Sequence, residues 1–242
     1  MAMTAAFQAV YLGSNPGRRI TKVRFKMAKR ETILVLAAHA DDPAIGAGGT
    51  LAKYAKAGKR IRTVVFSFGE LSHPHLKRRI IAERRRKEAL NADKLLGGSG
   101  IIFLGLKEMK FKEDFKKKNI PKKIEEIIKK EKPVKIFTHG IGDIHPHHKA
   151  VYNLIKQLAD KGQVKCGVYS FDIWSLFKLR KRNFPRLIVD VTETFPTKIK
   201  AFLAHKSQKV TIINVLWGVC LKDLISGWIN GYRFAEVFYK LR

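Results

Sequence analysis

Two short stretches of this chain carry side chains that could do chemistry together. His39-Ala40-Asp41-Asp42 follows the apolar run Ile33–Ala38, and Asp143-Ile144-His145-Pro146-His147-His148 follows the apolar segment Val134–Thr138. Each places imidazoles and carboxylates on a loop leaving a predicted buried strand. In open α/β sheets, loops at the carboxyl ends of strands are where ligands bind. Two imidazoles and one carboxylate around a divalent ion, with one position open for water, make a catalytic zinc arrangement. Imidazole nitrogen suits zinc and its transition-metal neighbours, and a single carboxylate keeps the site electrophilic. Asp41 and Asp42 are adjacent and cannot easily share one role. One can ligate while the other acts as a general base, because a metal brings the pKa of water to about 7. A further histidine can steady a tetrahedral oxyanion or protonate a leaving amine.

These residues match a known family pattern. HADDPAIGAGGTLAKYAKAGKRI, residues 39–61, resembles the AHPDDE…GG motif of the PIG-L/LmbE-like de-N-acetylases, and DIHPHHKAV, residues 143–151, resembles their HPDH motif. Weaker similarity runs through Ser67-Phe68-Gly69-Glu70, Arg85–Leu90, Phe103-Leu104-Gly105-Leu106, His205–Gln208 and Phe234–Phe238, so that residues 31–240 are covered. The two metal motifs are specific in combination; the other matches only support them.

The resemblance implies an α/β, Rossmann-like three-layer fold with a mostly parallel sheet. It implies a hydrolase that removes an N-acetyl group from an N-acetylglucosamine-type conjugate, using Zn2+ or another divalent metal. Carried over by position, His39, Asp42 and His148 are the metal ligands, and Asp41 is the general base. His145 assists at the oxyanion or the leaving amine. Arg85 and Glu108 fall where relatives hold sugar hydroxyls. Three positions depart from the pattern: Ala40 replaces Pro, Pro43 replaces an acid, and His147 replaces the Asp of HPDH. The first costs loop rigidity but no chemical group. The last removes the carboxylate that polarises the preceding histidine in relatives, a role that Asp143 could fill instead. The ligand set is intact while the support for proton transfer is altered.

Composition sets the wider frame. At 242 residues there is ample length for a core, and an apolar content of 45% is ordinary. The charge is not: 49 Lys+Arg against 20 Asp+Glu leave the chain at +29. A field of that size attracts anionic surfaces and says nothing about fold. A second class of function therefore stands beside the enzyme, a weakly catalytic or non-catalytic protein that binds an anionic lipid or another polyanion. The retained ligand set argues against full loss of chemistry. Cys166 and Cys220, the two cysteines, have no metal spacing, which fits a reducing cytoplasm. No apolar stretch reaches the roughly 18 residues of a membrane span, and no signal-peptide order is present. The expected location is cytoplasmic, or peripheral at the inner face of the membrane. Nothing in the sequence marks an oligomeric state.

Residues 1–30, with seven basic residues and no acid, read as a flexible arm, and 31–242 as one domain. From Glu31 onward strand and helix patterns alternate, which predicts a parallel sheet with crossovers. Predicted strands are Thr32–Ala38, Arg62–Phe68, Ile101–Leu104, Val134–Thr138, Gly167–Phe171 and Leu187–Val191. Predicted helices are Gly46–Ala57, Leu76–Leu96, Pro121–Lys130 and His147–Lys161. Thr192 is a candidate cap for a further helix. The region Val210–Lys240 reads mostly as helix, broken near Gly218, Gly227 and Gly231. Gly46, Gly48 and Gly49 lack the Lys-Ser/Thr of a phosphate loop, so they read as small residues that let the first helix approach the sheet.

Other features have blander readings. His73 and His75 flank Pro74 in the loop after the second strand and read as surface residues first and as lining of the site's mouth second, and His205, next to Lys206, reads as a surface or core-edge histidine. The basic residues of Leu76–Lys87 cannot share one helix face, so most are solvated. Phe171–Arg186 interleaves aromatic rings with cations. It fits core packing first, a lipid surface second and single-stranded nucleic acid third. No RNA-binding or helix-turn-helix signature favours the last.

Overall fold

The computed structural model describes residues 30–71, 77–173 and 185–241. The basic arm, His73 and His75, and residues 174–184 of the aromatic and cationic segment lie outside the described residues. Seven strands form one sheet in the order β3-β2-β1-β4-β5-β7-β6. They are β1 (Thr32–Ala37), β2 (Arg60–Ser67), β3 (Ile101–Leu106), β4 (Lys135–His139), β5 (Gly167–Phe171), β6 (Arg186–Asp190) and β7 (Ala235–Lys240). β1 to β5 pair in parallel, and β7 runs antiparallel to both β5 and β6. The helices are α1 (Asp42–Lys56), α2 (Arg78–Leu95), α3 (Phe111–Lys117), α4 (Ile120–Glu131), α5 (Pro146–Asp160), α6 (Phe195–Leu203) and α7 (Lys209–Ile229).

The central strand explains the layering. All six residues of β1 are buried, because helices cover both faces of the sheet. Side chains alternate across a strand, so Ile33 and Val35 join one apolar layer with residues of α1, α6 and α7. Leu34 and Leu36 join the other with α4 and α5. In α4, Ile120, Ile124 and Ile128 recur every four residues and form its buried stripe. Burying each such side chain contributes about 1.5–3 kcal/mol. The three-layer α/β arrangement is the predicted one.

The C-terminal third departs from expectation. Val210–Lys240 was predicted mostly helical and broken near its glycines, yet α7 runs unbroken through Gly218 and Gly227. It is followed by β7, which sits between β5 and β6. Gly227 is a packing glycine: a Cβ there would lie 2.7 Å from the Arg233 backbone. The next helix begins after Thr194 rather than Thr192, whose hydroxyl donates to Asp190 at 2.7 Å.

Strand order reverses at β1, which has β2 on one side and β4 on the other. In open parallel sheets, that switch opens a crevice beyond the strand ends. The loops after β1 and β4, which carry the two histidine and aspartate clusters, flank it. The glycine reading for α1 holds: a Cβ on Gly46 would lie 2.3 Å from the Phe171 ring.

Candidate active site

The two clusters meet in that crevice. Nδ1 of His39 lies 3.2 Å from Nε2 of His148 and 3.6 Å from Oδ2 of Asp42. Nε2 of His148 lies 3.4 Å from Oδ1 of Asp42. Tetrahedral zinc, with ligand bonds of about 2.0–2.1 Å, requires donor separations of about 3.3–3.4 Å. The two imidazole nitrogens are therefore spaced for one small divalent ion, with each facing a different oxygen of Asp42, and the donor types suit zinc. Compact groups able to hold an ion here include His39 with His145 and His148, and Asp42 with His139 and His148.

Local structure explains why they point there. α1 begins at Asp42 with Asp41 at its N-cap, so both carboxylates sit where the helix dipole favours negative charge. Asp42 Oδ2 also accepts from the His39 N–H at 2.7 Å, which closes the loop onto itself. Burial opposes the charge on Asp42, but His148 and His139 outweigh it and hold its carboxyl well below the usual range. Burial likewise opposes charge on His148. Asp42 and Asp143 override it and raise that imidazole to about 10.

Asp143 meets the ring of a metal-ligand candidate, His148, and only the backbone of His145. Its Oδ2 lies 2.8 Å from His148 Nδ1, and its Oδ1 accepts from the His145 backbone N–H at 3.2 Å. A carboxylate behind a ligating histidine fixes its tautomer and raises its basicity. The expectation that Asp143 could polarise the His145 ring is thus redirected. The His145 ring caps α5 instead: its Nδ1 accepts from the His147 N–H at 3.2 Å. Burial and the neighbouring His39 and His148 lower its pKa to about 4.

The remaining predicted residues also lie here. Arg85, expected to touch a sugar, is buried, and its guanidinium donates to Gly69 O at 2.7 Å and to Asp41 Oδ1 at 3.3 Å. Gly69 permits this, because a Cβ there would lie 1.8 Å from the Arg85 Nη1 and its φ is +71°. Glu108 accepts from the Leu71 N–H at 2.6 Å through one oxygen. Its other oxygen lies 3.8 Å from His39 Nε2. Glu70 returns the contact by accepting from the Glu108 N–H at 2.9 Å, so the two strand-end loops clasp each other.

Two histidines matter more than their sequence context indicated. His139, the last residue of β4, is fully buried and stacks on His148 at 3.9 Å. Its Nε2 lies 3.1 Å from Asp42 Oδ2 and accepts from the Ala38 N–H at 3.0 Å. Its place at a strand end beside Gly140 was the available signal. His205, read as surface or core-edge, is wholly buried, and burial lowers its pKa. The bland reading of Leu76–Lys87 holds: every basic residue described there is exposed except Arg85.

Known proteins share this construction. The chain is 28% identical over 185 residues to YaiS, an uncharacterised deacetylase of Escherichia coli, covering 74% of this chain and 92% of that one. Its fold matches the N,N'-diacetylchitobiose deacetylase of Pyrococcus horikoshii, with a TM-score of 0.74, 21% identity, and 88% and 84% of the two chains covered. It also matches GalB, a 4-carboxy-2-hydroxymuconate hydratase of Pseudomonas putida, with a TM-score of 0.73, 20% identity, and 88% and 96% covered. The fold alone thus does not select the reaction. Residues 34–159, just over half of the 242, match the family described as PIG-L, GlcNAc-PI de-N-acetylase. With both of that family's histidine and aspartate clusters assembled in one crevice, the chain belongs to the PIG-L/LmbE-like de-N-acetylases.

Proposed function

We propose that this protein is a zinc-dependent hydrolase that removes the acetyl group from the nitrogen of an N-acetylglucosamine-type conjugate. The observation that carries this reading is the meeting of His39 Nδ1 and His148 Nε2 at 3.2 Å, each 3.4–3.6 Å from a different oxygen of Asp42, beside a second carboxylate, Asp41. His39, Asp42 and His148 would hold the metal, with Asp143 orienting His148. When bound, the metal would supply Lewis acidity, polarising the acyl oxygen and acidifying water.

The chain's own groups do the rest. Asp41, steadied by Arg85, takes a proton from the water that attacks the acyl carbon. The His145 Nδ1 accepts a backbone N–H, so its neutral ring carries the proton on Nε2. That N–H donates to the oxyanion as it develops. Asp41 then returns its proton to the amide nitrogen as the carbon–nitrogen bond breaks, and the water's second proton, left on the new carboxyl group, passes to the amine, so that acetate and an ammonium group are released. Arg85 acts through Asp41. Glu108, at the rim beside His39, is the group left to meet a sugar hydroxyl.

Metal analysis of the purified protein, with acetate release from a panel of N-acetylglucosamine conjugates, tests this reading. Zinc near one equivalent and release from at least one conjugate are expected. Hydration of an unsaturated acid without amide cleavage would replace the reading with the chemistry of the hydratase relative.

A further inference from the structure

α7 is apolar on both faces. Ile212, Val215 and Val219 point into the core. On the opposite side Trp217, Leu221, Leu224, Ile225, Trp228 and Ile229 are all exposed, Trp228 to 83% and Ile229 to 72%. Their spacing of three and four residues places them on one continuous stripe over three turns. Among the described side chains of α7, no charged residue is exposed: Asp223 is buried against Lys198 at 2.6 Å, and Lys222 donates to Asp172 O at 2.9 Å. Tyr232 extends the stripe past the helix end. An apolar helix face of this extent normally marks a binding surface.

Charge selects the occupant. Asp223 is the sole acid between Thr194 and Ala235, whereas Lys200, Lys206 and Arg233, in the segments just before and after the helix, are exposed. A second copy would bring another +29 against the first, so self-association is opposed by the charge. Nucleic acid offers no hydrocarbon for leucine and isoleucine. An anionic bilayer offers both: phosphates for the cations and acyl chains for the aliphatic groups, with tryptophan at the interface. We infer that the outward face of α7 docks this protein onto an anionic phospholipid surface as a peripheral, in-plane helix. No helix among the described residues is long and apolar enough to cross a membrane.

Docking here has a geometric consequence. β7 runs against β5, so the turn after α7 lies at the sheet edge where β1 and β4 end. The tip of the stripe and the metal-ligand loops share that edge.

The test uses the full chain with vesicles of phosphatidylcholine, with and without phosphatidylglycerol. Binding to the anionic vesicles is expected, with a blue shift of tryptophan emission and quenching by brominated acyl chains. Trp228→Ser/Ile229→Ser should weaken binding at least about tenfold, because large apolar side chains no longer leave water. Leu221→Ser/Ile225→Ser should do the same from the neighbouring turns. Both pairs are solvent-exposed, and circular dichroism checks that the fold is kept. Equal binding by wild type and both variants would assign attraction to charge alone and overturn the inference. So would no binding at all, or a wild-type dimer that the Trp228→Ser/Ile229→Ser variant dissolves while neither form binds vesicles.

Discussion

Nδ1 of His147 lies 3.1 Å from Nε2 of His39, and the His147 ring stacks on Phe111 with centroids 4.0 Å apart. The residue standing where relatives carry aspartate is thus bonded to a metal-ligand candidate. It supports His39 from behind, as Asp143 supports His148 at 2.8 Å. Its hydrogen bond to His145 comes from its backbone N–H and does not depend on its side chain, although the two rings also meet edge to face at 4.9 Å.

His147→Ala is therefore expected to weaken zinc binding by about 10- to 100-fold, the usual effect of removing a group that orients a ligating histidine. The backbone bond to His145 survives the change. Chelator competition measures the affinity directly. An unchanged zinc affinity would show that His39 needs no support from this side.

Asp143→Asn is expected to lower metal affinity by a similar factor, about 10- to 100-fold, because His148 loses its carboxylate partner. Isothermal titration of the apo variant with zinc is the measurement. Wild-type affinity with reduced turnover would instead return Asp143 to the role of polarising His145.

Asp41→Asn should keep the metal and lose turnover by about 10²- to 10⁴-fold, the contribution typical of a general base. Metal content and acetate release must be read on the same preparation. Full activity in a zinc-loaded variant would place the base elsewhere.

Lys198→Met addresses stability away from the crevice. Nζ of Lys198 is buried 2.6 Å from Asp223 and 2.7 Å from Glu236, and Glu236 also accepts from the Gly49 and Thr50 N–H groups of α1. Removing the ammonium leaves two buried carboxylates facing each other, which should cost about 3–5 kcal/mol in chemical denaturation. Burial, reinforced by Glu236, already raises Asp223 to about 6 despite Lys198. An acid whose folded pKa is raised binds more protons in the native state, so the variant should recover stability as pH falls toward 5. Instability that grows on acidification would contradict this account.

Much of the site was legible in the linear chain. His39, Asp42 and His148 sit directly after apolar strands or at the start of the following helix, so the meeting of the two clusters at neighbouring strand ends was readable, while their roles as ligands came from the resemblance to the family motifs. β1 through β6 were likewise readable, because each is centred on a short apolar run, which for the fully buried β1 is what burial on both faces requires. β7 was not. Glu236-Val237-Phe238-Tyr239 follows a long helix, and its strand state comes from pairing with β5 and β6 across the sheet. The partners of Arg85, Asp143 and His147 were equally hidden. A guanidinium, a carboxylate or an imidazole can serve substrate, metal ligand or backbone with the same atoms, and sequence spacing does not rank them. Only the packing of the loops after β1, β2 and β4 against one another decides. It sets Arg85 on Asp41 and Gly69, Asp143 on His148, and His147 on His39, because those are the nearest unsatisfied polar atoms once the strands have been brought side by side.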